Sequence, residues 1–92
     1  LEKELRIVRT RLPELPEALT EKVVALVQKV GGLGLLKPPR VAETLDLAAA
    51  LLALGARDLS PEVLEPALGA LLKAREDVAR VREALAGLLP LL

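Results

Sequence analysis

The side chains that could do chemistry fall in three places. Gly31-Gly32-Leu33-Gly34, followed by Lys37, has the glycine content of a phosphate-binding loop. In a working loop of that kind backbone N–H groups cradle phosphate oxygens; the loop follows a strand, opens into a helix and carries a Lys-Ser/Thr pair. Here a helical pattern precedes the glycines and Pro38-Pro39 follows Lys37, so the stretch reads as a flexible linker. Glu76 and Asp77 are neighbouring carboxylates, but acid–base work would require a pocket and shifted proton affinities. On an amphipathic helix the pair reads as a solvated face. Arg75, Arg80 and Arg82 form a basic cluster that Glu76, Asp77 and Glu83 balance, which reads as a mixed-charge surface.

Composition narrows the chemistry further. The 92 residues hold 13 Lys plus Arg against 13 Asp plus Glu, and no Cys or His. Thiolate nucleophiles, disulfides, imidazole bases and the usual zinc ligands are therefore missing. Without aromatic residues there are no base-stacking platforms. A net charge of zero argues against a DNA-binding surface, which needs a basic excess. The longest run without a charge, from Leu47 to Ala56, is too short to cross a bilayer. Phe, Trp, Tyr, Cys, Met, His and Asn are all absent. An ordinary domain of this size holds on the order of 5–8 aromatic residues, so the composition reads as edited or designed. Leu1 opens the chain in place of Met, and the expectation is an excised or processed piece.

What remains is a frame of aliphatic residues whose spacing predicts one all-α domain over residues 1–92, with five helices. Leu1, Leu5, Val8 and Leu12 make one apolar stripe, ended by Pro13 and Pro16. A second helix from Pro16 buries Leu19, Val23, Leu26, Val27 and Val30 and stops at Gly31-Gly32. After a loop with an extended-looking Leu35-Leu36-Lys37, a third helix runs from Val41 to Leu54. Its second half is apolar all round, which marks a helix surrounded by protein. Gly55 suits a left-handed turn, and residues 56–59 form a second short linker. Ser60-Pro61-Glu62 is a helix start: a capping hydroxyl, a proline and an acid near the positive dipole end. The fourth helix buries Val63, Leu64, Ala67, Leu68, Leu71 and Leu72, with Pro66 expected to kink it. The fifth, residues 75–89, turns Val78, Val81, Leu85 and Leu88 inward and pairs Glu76 with Arg80 outside. The pattern leaves open whether helices four and five are continuous. The tail Leu88-Leu89-Pro90-Leu91-Leu92 is expected to dock on the bundle. The expected core joins Val23, Val27, Leu45, Ala49, Leu52, Leu64, Leu68 and Leu71, with helix three in the middle.

In this order the motifs resemble a known family. Lys37-Pro38-Pro39-Arg40-Val41-Ala42-Glu43-Thr44-Leu45-Asp46 with Ala48-Ala49-Ala50-Leu51 is similar to the C-terminal lid of MoxR-type AAA+ ATPases. So are Leu59-Ser60-Pro61-Glu62-Val63, Leu68-Gly69-Ala70-Leu71-Leu72-Lys73 and the stretch from Arg75 to Val81. Glu4-Leu5-Arg6-Ile7-Val8-Arg9 with Leu12-Pro13 resembles the helix by which that family leaves its nucleotide-binding core. The chain departs from the family at Leu36, Leu47 and Ala74, where aromatics are common, and at Gly31-Gly32.

The resemblance implies a five-helix lid with two short extended linkers, its helix–strand–helix element reminiscent of a histone fold. It implies a lid that closes over nucleotide on a preceding α/β core and contacts neighbouring subunits. Arg40, just before the third helix, corresponds to the place of a sensor-two arginine, although the register sets the usual arginine nearer Ala42. With no Walker motifs or magnesium ligands the chain is expected to be no enzyme, to hold no cofactor or metal, and to need no nucleic acid, membrane or obligatory partner. A monomer is favoured over a homodimer, and the parent family is cytoplasmic. The leading expectation is an excised, simplified lid serving as a folding model. The alternatives are a natural ATPase fragment and a helical bundle built without ancestry.

Overall fold

A computed structural model describes residues 2–92, and Leu1, expected on the first apolar stripe, lies outside them. The helices are α1 (Glu2–Arg11), α2 (Glu17–Gly31), α3 (Val41–Ala53), α4 (Pro61–Leu71) and α5 (Arg75–Leu88), followed by a 3-10 turn (Leu89–Leu91). Helices four and five are separate: Leu72 and Ala74 are extended at the ends of the break. No helix among the described residues is long and apolar enough to cross a membrane.

The expected punctuation is present with one difference. Ser60 accepts a hydrogen bond from the Val63 N–H at 3.3 Å, and Pro61 opens α4. Gly55 takes a left-handed φ of 68°, a conformation costly for any residue with a Cβ. The other left-handed glycine is Gly34, at 71°. Gly31 is the last residue of α2, and Gly32 caps it at φ −86°. Pro66 sits inside α4 on its exposed side, without ending it.

The extended linkers are a correction. No residue from Gly32 to Arg40, or from Leu54 to Ser60, is in a strand or bridge, and no strand occurs among the described residues. The helix–strand–helix element reminiscent of the histone fold is therefore absent. The physical reason lies in where the loop's amides go: those of Leu36 and Lys37 are taken by a side chain, and Pro38 and Pro39 have no N–H to offer a ladder.

The core draws on every helix. Val8, Leu19, Val23, Leu26, Val30, Leu47, Leu51, Leu64, Leu68, Leu71 and Val81 are all at most 1% exposed. Helix α3 packs chiefly on α4 and touches α1 and α2, so it occupies the middle of the bundle. Its register is not the expected one. Leu47, Ala48 and Leu51 are buried with Thr44, whereas Leu45 and Leu52 are half-buried and Ala49 is exposed. Nor is the helix surrounded: Ala42, Ala49, Ala53 and Leu54 face outward. An all-apolar run has no periodicity to say which stripe turns inward. Packing, chiefly on α4, sets it, and Thr44 can join the buried face because its hydroxyl donates to the Arg40 carbonyl at 3.0 Å. Val27 is half-buried beside the core. In the tail, Leu88, Leu89 and Leu92 pack on the bundle, while Leu91 is exposed.

Candidate functional site

The Arg40 side of the molecule carries a cleft of about 420 Å³. Glu4 of α1, Val24, Val27, Gln28 and Gly31 of α2, Gly32, Pro39 and Arg40 of the loop, and Thr44 of α3 line it. Arg40 is the residue before α3, in extended backbone. Its N–H donates to Glu43 Oε1 at 2.8 Å, one half of a capping box, which fixes the backbone from which its side chain leaves. The Arg40 side chain is exposed and enters no ion pair among the described residues. Across the cleft, Gln28 Nε2 donates to Glu4 Oε1 at 3.4 Å. One guanidinium facing a cleft that also holds a carboxylate is a weak seat for a triphosphate, whose charge needs several donors.

The other candidate residues disperse. Gly31 ends α2 and Gly32 and Gly34 lie in the loop after it, with no helix opening directly from them, and Lys37 offers its N–H to a carboxylate. Arg75 and Arg80 are exposed, and Arg82 pairs with Glu65 of α4 in place of a neighbour on its own helix. Glu76 and Arg80 form no pair. No group of three or more Asp or Glu that could hold a metal ion occurs among the described residues.

The expectation that Glu76 and Asp77 form a solvated face is overturned for Asp77, which is 2% exposed. Its Oδ1 accepts from the Leu36 N–H and its Oδ2 from the Lys37 N–H, each at 2.8 Å. A carboxylate so placed clamps the middle of the loop whose ends form the cleft wall. No side-chain pattern in the sequence marks Asp77 for this role, because its partners are backbone amides some forty residues away.

Ion pairs elsewhere join elements at the surface. Arg9 pairs with Glu17 across the α1–α2 turn, which raises the arginine and holds the Glu17 carboxyl below its ordinary range. Lys22 meets Asp58 at 2.7 Å, and with the Leu59 N–H it lowers that carboxyl.

No family model, curated protein or solved structure matches the chain.

Proposed function

We propose that the chain is a non-catalytic, lid-type helical domain of simplified composition, a folding model and not an enzyme. The observation that carries this reading is a hydrophobic core made of Val, Leu and Ala side chains with no aromatic ring. Leu47 is fully buried at a position where the family it resembles commonly has an aromatic ring. Ring-to-Leu replacement leaves volume that neighbours refill only in part, so a closed core implies compensating changes throughout. The reading is supported by the Pro-Pro-Arg entry to α3 and the Ser-Pro entry to α4, two of the stretches on which the resemblance rests.

A second reading, a natural lid fragment that covers nucleotide on an α/β core, is favoured by Arg40, an exposed guanidinium in no ion pair among the described residues. Calorimetric titration with ATP and magnesium tests both. The chain alone is expected to bind nothing at millimolar nucleotide, and micromolar affinity would overturn the lid reading. Grafted in place of the lid of a MoxR-type ATPase, the chain should support hydrolysis that Arg40→Ala lowers if the second reading holds. Hydrolysis indifferent to Arg40 leaves the first.

A further inference from the structure

Between α2 and α3 the chain is held at its two ends and at one place in between. At the first end the Leu33 N–H donates to the Val30 carbonyl at 3.1 Å. At the other the Arg40 carbonyl accepts from the Thr44 N–H at 2.9 Å and from the Thr44 hydroxyl at 3.0 Å. From residue 34 to 39 the only hydrogen bonds among the described residues are those the Leu36 and Lys37 amides give to Asp77. Pro38 and Pro39 have no N–H to add. Side chains hold little more: Gly34, Leu36, Lys37 and Pro38 are exposed, and Leu35 is half-buried at the edge of the core. At Gly34, whose φ is 71°, a Cβ would meet nothing beyond its chain neighbours within 4 Å. Asp77, by contrast, is buried on α5, an element that lends no residue to the Arg40 cleft. Pro39, within the same stretch, does line that cleft.

We infer that residues 34–39 are a strap latched by Asp77, which opens as a unit while the five helices stay folded. Opening exchanges the two hydrogen bonds for water, and the carboxylate recovers the hydration that burial denies it. Its cost is then far below that of parting the core side chains of α2, α3 and α4. Stretches with few buried apolar contacts and few backbone bonds open at the low end of a protein's stability range. Release lifts Leu35 from the edge of the core and moves Pro39, part of the cleft wall. One side chain of α5 thereby sets the shape of a cleft that α5 does not line. This coupling goes beyond the clamp's share of stability, and it requires no nucleotide in the cleft.

The test is native-state hydrogen exchange of the unmodified chain in urea below the unfolding range, read by NMR. The Leu36 and Lys37 amides should exchange at rates almost independent of urea, whereas those of Leu51 and Val81 in the core should follow global unfolding. Because the chain has no cysteine, Leu35→Cys reports the strap by its rate of reaction with a thiol reagent. That rate too should be nearly flat in urea, and Asp77→Asn should raise it about tenfold or more. Asparagine is close to aspartate in size, but it keeps one acceptor and turns an N–H₂ toward the second amide. Across the cleft, the Gln28 side-chain amide should shift in Asp77→Asn and stay in place in Glu76→Gln. Should Asp77→Asn fail to fold, the urea slopes of the unmodified chain decide alone. Equal slopes for strap and core amides would mean that the strap opens only with the whole fold, and would overturn the inference. So would a thiol rate at position 35 indifferent to Asp77→Asn, or a Gln28 signal that both variants leave unmoved.

Discussion

Asp77 joins two parts of the chain that are some forty residues apart, and it does so with both carboxylate oxygens. Taking a carboxylate out of water is costly unless hydrogen bonds replace the hydration. Two backbone donors at 2.8 Å do so here, and the position in the first turn of α5 adds the favourable end of the helix dipole. The exchange also frees the loop from needing any other partner for the Leu36 and Lys37 amides. Asp77→Ala leaves both amides unsatisfied in a partly buried site and should destabilise by about 1–3 kcal/mol, measured by urea unfolding. Glu76→Ala, on the exposed side of the same turn, should change stability by no more than about 0.5 kcal/mol. Hydrogen exchange at Leu36 and Lys37 should accelerate in the first variant alone. Equal effects of the two substitutions would show that the clamp contributes nothing.

At the scale of elements, what the sequence could tell depended on punctuation and contrast. Ser60-Pro61 and Gly55 were legible because each answers a local backbone demand that needs no knowledge of the rest of the fold. The inward faces of α2, α4 and α5 were legible because polar residues mark their outer sides. Helix α3 has no polar residue after Asp46, so its inward stripe is set by what it packs on, and the expected one was displaced by one residue. The Arg40 cleft was legible only in part: Arg40 and the two glycines line it, but Glu4 and Gln28 arrive from two other helices. Asp77 was not legible, because its partners are backbone amides that no side-chain pattern records. The register of α3 can be checked directly. Leu51→Ala removes a fully buried side chain and should cost about 2–5 kcal/mol. Leu52→Ala acts on a half-buried one and should cost clearly less, while Ala49→Ser on the exposed side should be near neutral. A larger loss at Leu52 than at Leu51 would return the helix to the other stripe.

The whole molecule has an acid limit and, we expect, no need of a second copy. Glu17 and Asp58 have carboxyls lowered by Arg9 and by Lys22 with the Leu59 amide. Their folded values lie below the unfolded ones, so their stabilisation is complete above the unfolded range near about pH 4 and fades as pH falls through the folded values. The urea midpoint should therefore hold from neutral pH to about 5 and decline below that, with a smaller decline in high salt because both pairs are exposed. A midpoint that rises on acidification would contradict the assigned pairs. The state of assembly follows from packing. A core without aromatic rings invites the question whether a second chain must help to fill it. The radius of gyration is 11.8 Å, against about 12 Å for a compact chain of this length, so one chain is already as compact as an ordinary domain. Leu36, Leu54 and Leu91, each more than half exposed, come from separate segments, and scattered apolar side chains do not make an interface. Zero net charge offers no repulsion to keep copies apart, so a single chain would have to rest on a core filled from within. Light scattering over a hundredfold range of concentration should give a constant mass of one chain. A constant mass of two would mean that the core closes between copies, and then Leu51→Ala should lower the dimer fraction together with the stability.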